Sequence, residues 1–154
     1  MKRKTLSSMH ITAAGLAMTL IFTFFSSSLI AELIGDEVII MKVKTGIFYM
    51  LPLMLFLMPA LGLSGKKLAG KSKAPLIQRK MRRMRWIAIN GGILILLAVL
   101  LYQRAENGRI DTTFMQLQIA ELLIGVTNLF LMGLMVRDGK RLAGKKKNIA
   151  LTRV

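Results

Sequence analysis

Four stretches of this chain carry almost no formal charge, and they dictate the solvent in which it folds. Residues 5–31, 45–65 and 86–103 contain no Asp, Glu, Lys or Arg, and residues 112–136 contain only Glu121. Each is close to the roughly 20 residues an α-helix needs to cross about 30 Å of hydrocarbon. The segment ILILLAVLLY at 93–102 is apolar around its whole circumference, which leaves no face for water and argues against a soluble bundle. The runs are also longer than barrel strands and lack the alternation a lumen imposes. The expectation is therefore an all-α polytopic membrane protein, a single transmembrane domain over 1–154. Its four transmembrane helices are expected near 11–34, 45–64, 86–102 and 114–136.

Charge sets the orientation. The chain has 23 Lys plus Arg against 7 Asp plus Glu, a formal net charge of +16. A balance this basic suggests nucleic acid or an anionic membrane surface. The cations sit in blocks between uncharged runs rather than interleaved with polar and aromatic residues on one folded face, which selects membrane lipid over nucleic acid as the partner. Nineteen of the 23 cations fall in the N-terminal tail, in 65–85 and in 137–154. The remaining four, Lys42, Lys44, Arg104 and Arg109, flank the opposite ends of the helices. Because positive flanks are retained in the cytoplasm, both termini and the central loop are expected inside, an N-in/C-in topology in a bacterial inner membrane. Trp86, Tyr49 and Tyr102 lie near helix ends, as headgroup-level rings do. MKRK before an apolar run also describes a secretory signal, but the length of the run and its place in a repeat favour a retained first helix.

The repeat lies at an offset of 74. GKKLAGKSK at 65–73 matches GKRLAGKKK at 139–147 at seven of nine positions, and FLM recurs at 56–58 and 130–132. A shift of 76 sets HITAAG at 10–15 against WIAING at 86–91, a fainter match. Two helix hairpins are implied, repeat 1 over 10–73 and repeat 2 over 86–147, packed as a pseudo-twofold bundle about the membrane normal. The glycine closing each basic phrase is expected to end its helix, with lysines against the negative end of the dipole. Between the repeats, APLIQRKMRRMR at 74–85 reads as a basic amphipathic cytoplasmic segment. Its Arg79, Lys80, Arg82, Arg83 and Arg85 can meet anionic headgroups.

Candidate functional residues are few. Gln118, Glu121, Gly125, Asn128 and Met132 recur at steps of three and four, so they share one helix face, and a polar stripe in lipid belongs inside the bundle. Glu121 is an ionisable group within a span and a functional candidate by default. With Glu32 it can form an outward-facing acidic pocket for a cation or proton. Pro52 and Pro59, seven apart, share a face of the second helix and each remove a backbone hydrogen bond. Thr12, Gly15, Thr19, Thr23 and Ser26 form a small-residue stripe expected at a close helix contact.

The chain has no Cys and one His, so disulfides, thiolate sites and a multi-His site within one chain are excluded. His10, at the mouth of the first helix, is a candidate axial ligand for haem b. A His opening the first helix of a small basic membrane bundle resembles the haem-associated copper-resistance-D and HemJ-like membrane families. That resemblance covers about one helix, and a second axial His would have to come from another subunit. As a whole the chain resembles the uncharacterised small four-helix inner-membrane proteins of bacteria, a likeness of architecture that transfers no site residues. No phosphate-binding loop, dinucleotide fingerprint, metalloprotease motif or nucleophile elbow is present. The functional expectation is a non-enzymatic accessory or interaction component of a membrane complex or homo-oligomer. The alternatives are a small cation- or proton-coupled transporter using Glu121 and Glu32, and a haem protein using His10.

Overall fold

The computed structural model describes residues 3–70 and 74–151. Residues 71–73, at the end of the first basic phrase, lie outside the described residues, as do residues 1–2 and 152–154 and the side chains of Arg3 and 142–151. Four helices account for nearly all of the described chain: α1 Arg3–Ile34, α2 Glu37–Ala69, α3 Pro75–Glu106 and α4 Thr112–Leu151. All four are long and apolar enough to cross a membrane, so the chain is an all-α, four-span bundle.

The helices outrun the charge-free windows. At 32, 33, 32 and 40 residues they are about 48–60 Å long, well beyond about 30 Å of hydrocarbon. Charged side chains end a window because lipid rejects them, but beyond the hydrocarbon nothing stops the backbone from continuing its hydrogen-bond ladder. The connectors shrink accordingly. Loops of about ten residues were expected between α1 and α2 and between α3 and α4; the structure leaves only Gly35–Asp36 and Asn107–Asp111. Gly35 and Gly108 hold φ of 72° and 64° in these turns, where a Cβ would be strained. We call this end outer, after the charge count.

Caps define where α2 and α4 begin. The Asp36 carboxylate accepts from the Val38 and Ile39 N–H groups, and Asp111 accepts from the Phe114 N–H, each satisfying donors left orphaned by a helix start. Arg104 also donates to both Asp111 oxygens at 2.9 and 3.0 Å. The Phe114 N–H, aided by Arg104, holds the Asp111 carboxyl below the usual aspartate range. At the opposite end Gly70 closes α2 with φ 55° and its N–H on the Lys66 carbonyl. The second basic phrase differs from expectation, because α4 runs on helically through Gly144 to Leu151. Residues 75–85 likewise form the first turns of α3, with Pro75 at its first position, so the basic amphipathic segment is continuous with a span. A proline there has no N–H to leave unpaired and a φ already suited to helix.

Each helix packs on its sequence neighbours and α4 closes back on α1, while α1 and α3, and α2 and α4, face each other only diagonally. Three apolar layers fill the axis. The outer one holds Ala31, Ile40, Leu101, Ala105 and Phe114; the middle one Ile47, Leu51 and Ala98; the inner one Ala17, Ile21, Met54 and Met132. Reciprocal glycine contacts bring α2 and α3 together. Met84 of α3 lies over Gly65 of α2, and Met58 of α2 lies over Gly91 of α3, 2.7 and 3.0 Å from where a Cβ would sit.

The small-residue stripe of α1 corrects the sequence reading. Thr12, Gly15, Thr19 and Thr23 are exposed, and α1 buries Ala17, Ile21, Ser28 and Ala31 instead. Nothing lies within 4 Å of where a Gly15 Cβ would sit. Pro52 and Pro59 also face outward, and α2 continues through both.

A candidate intramembrane charge site

The site is built from the register of α2 and α4. With Asp36 capping α2, the buried positions are Ile40, Lys44, Ile47, Leu51 and Met54, at steps of four, three, four and three. On α4 from Phe114 to Met132 they are Phe114, Gln118, Glu121, Gly125, Asn128 and Met132, at the same steps. These positions are also 74 residues apart in sequence, so the offset that pairs the basic phrases pairs Lys44 with Gln118 and Ile47 with Glu121. Across α1 and α3 the same offset pairs buried Ala17 with Gly91 and Ala31 with Ala105, while an offset of 76 pairs buried Ile21 with Leu97.

Lys44 is the residue missed by reading the sequence for exposed flanks. It was counted among four outer cations, yet it is 2% exposed. Its ammonium crosses the diagonal of the bundle, donating to Glu121 Oε2 of α4 at 2.6 Å and to Ser28 Oγ of α1 at 3.0 Å. Its spacing from Ile47 and Leu51 was the available signal: three and seven residues place it on the stripe that α2 buries. A four-carbon stem explains the reach, since α2 and α4 backbones do not approach each other.

Glu32 joins this group. It is only part-buried, one turn from the end of α1, but its Oε1 is sealed from solvent and has no hydrogen-bond partner among the described residues. Lys44 and Glu121 are the charged groups that act on it. The cluster therefore contains two carboxyl groups and one ammonium. Glu121 also lines a cavity of about 50 Å³ on the bundle axis, whose other walls include Phe24, Phe25, Leu51, Met54 and Gly125. Above the Lys44–Glu121 pair stands the outer apolar layer, with Leu101 and Phe114 fully buried; below the cavity stands the inner one.

Gln118 and Asn128 fall on the same face of α4, both 0% exposed. Neither amide has a hydrogen-bond partner among the described residues, although buried amides are normally satisfied. As a polar stripe in lipid should, they lie inside the bundle, one turn outward and two turns inward of Glu121.

The inner end holds a second constellation. Arg83 pairs with Asp138, joining α3 to α4, so Asp138, the one acid on the basic side, is consumed by a cation in its midst. Arg79, Arg82 and Arg85 are exposed, while Lys80 and Arg83 are part-buried. His10 Nδ1 lies 2.8 Å from Ser64 Oγ, and its ring carbon stands 3.3 Å from where a Gly65 Cβ would sit. The imidazole thus fills a helix contact. His10 is not among the walls of the axial cavity. Among the described residues no group of three or more His, Cys, Asp or Glu can hold a metal ion. Comparison of the chain with protein-family models, with curated proteins and with solved structures finds no match.

Proposed function

We propose that this four-span protein is a small cation- or proton-coupled membrane transporter whose ion site is the Glu32–Lys44–Glu121 cluster. One observation carries the reading, the buried diagonal pair of Lys44 with Glu121. An ion pair taken out of water is seldom the most stabilising choice, and well-packed apolar residues in its place are often neutral or better. A bundle that needed only to stand in lipid would gain little from three ionisable groups within its spans, and such groups are functional candidates by default. The apolar layers on either side give the Lys44–Glu121 pair the character of an occluded site, with part-exposed Glu32 beside the outer layer. Gln118 and Asn128 extend it along α4 as polar groups with unmet hydrogen-bonding capacity.

The cytoplasmic placement of both termini, the bacterial inner membrane and headgroup contact by Arg79, Arg82 and Arg85 belong to the same proposal, supported by the charge asymmetry. So does descent from a duplicated hairpin, which the common 74-residue spacing of the buried faces supports. Reconstitution tests the function. In liposomes with a trapped pH-sensitive dye, the full chain is expected to dissipate an imposed pH or Na+ gradient, and Glu121→Gln to abolish this. Equal flux from wild type and variant refutes the mechanism.

A second reading, a non-enzymatic component of a membrane complex or homo-oligomer, draws on the outward-facing Thr12, Gly15, Thr19 and Thr23 of α1, because small residues allow close helix approach in lipid. A chain that leaves mild detergent always as a lone monomer counts against it.

A further inference from the structure

The cluster has one ammonium for two carboxyl groups, and this imbalance identifies the ion. Lys44 is committed to Glu121 and Ser28, while Glu32 Oε1 is sealed without a donor. A carboxylate with one oxygen sealed and without a donor there is costly to keep charged, and a bound proton is the smallest neutraliser. A metal cation is disfavoured, because it would have to sit beside the Lys44 ammonium. The charged groups of the helices packed on α1 whose fields reach Glu32 are Lys44 of α2 and Glu121 of α4.

We propose that the ion exchanged by this site is a proton, taken up on Glu32 and passed to Glu121 as the Lys44 ammonium moves from Glu121 to Glu32. The step balances. In the first state, which has the Lys44–Glu121 pair of this conformation, Glu32 is the neutral acid. After the swap the O–H bond of Glu32 has broken, one has formed on Glu121, and Lys44 pairs with the Glu32 carboxylate, so the cluster keeps one proton and one ammonium throughout. The direction follows from placement. Glu32 is part-exposed near the outer connector, whereas Glu121 is buried and lines the axial cavity. The swap also moves a structural tie, because Lys44 bridges α2 to α4 in one state and α2 to α1 in the other, which makes the diagonal the two-state element.

This inference rests on the transport reading, and infrared spectroscopy separates the two. In the reconstituted full chain at neutral pH, wild type is expected to show one buried protonated-carboxyl stretch that is lost in Glu32→Gln and also in Glu121→Gln, where the freed Lys44 ammonium pairs with the Glu32 carboxylate. In Lys44→Met, which leaves two carboxyl groups without an ammonium, the intensity is expected to double. Glu32→Asp, which keeps the acid, guards against a Glu32→Gln chain that fails to fold and is expected to retain the band. Absence of the band in wild type, or its persistence in Glu32→Gln, overturns the proposal even where flux is intact. The band pattern without any flux upholds the proton on Glu32 and removes the transport reading alone.

Discussion

Removing the Lys44 ammonium while leaving Glu121 in place is the most direct test of the bundle's energetics. At 2.6 Å the attraction between the two charges is on the order of 6 kcal/mol at an effective dielectric of about 20. Much of that is offset by desolvating both ions, whose side chains are 2% and 11% exposed. The quantity that matters for the single variant is the cost of leaving Glu121 buried without its partner and forced to take up a proton at neutral pH, about 3–5 kcal/mol when one partner of such a pair is removed. Lys44→Met keeps the length and apolar stem, so packing changes little and the loss reports on charge. The double variant Lys44→Met/Glu121→Leu removes both charges and is expected to recover most or all of the stability. Reversible unfolding of the purified protein in mixed detergent, run as a double-mutant cycle, measures both. A single-variant loss below about 1 kcal/mol, the range of exposed pairs, would show that water reaches Lys44 and would refute the occluded site.

Other consequences are more local. Gly65→Leu places bulk against Met84, so it is expected to cost about 1–3 kcal/mol by overpacking and to be relieved by Met84→Ala, whereas Gly15→Leu, facing open space, is expected to leave stability unchanged; equal effects at the two glycines refute the reciprocal contacts. For Asp111 the folded-state carboxyl titrates below its unfolded value, so its contribution is complete above about pH 4 and is lost as pH falls through the folded value. The stability difference between wild type and Asp111→Ala should therefore be constant at neutral pH and vanish in acid, and a difference that grows on acidification contradicts the cap. Because the chain has no Cys, single replacements at Arg109 and Lys140 can be labelled by a membrane-impermeant thiol reagent. In intact cells Arg109→Cys is expected to react and Lys140→Cys to be protected, and the reverse pattern inverts the topology.

The number of spans was legible in the residues because lipid enforces it. A charge in hydrocarbon is costly wherever it falls, so charge-free windows mark the spans, and the stripe from Gln118 to Met132 marks the inward face of α4 because polar groups have only one comfortable direction. The faces of the apolar helices were not legible in the same way. Between helices in a bilayer there is little hydrophobic driving force, since lipid tails are as apolar as leucine, and periodicity therefore does not tell Ala17 and Ile21, which α1 buries, from Thr12 and Gly15, which it exposes. Lys44 was obscured by its position at the edge of a window, where the same residue serves either as an exposed flank or as an inward anchor.

Sequence alone determined the all-helical membrane class, the charge asymmetry and the residues able to carry chemistry, because each follows from the solvation of individual groups. Tertiary structure alone decided which of them meet. Lys44 reaches Glu121 across the diagonal, Arg83 takes Asp138, and His10 settles on Ser64. Each of these pairings spans at least 54 residues, and only the closing of α4 onto α1 and the shared register of α2 and α4 bring the charge cluster together.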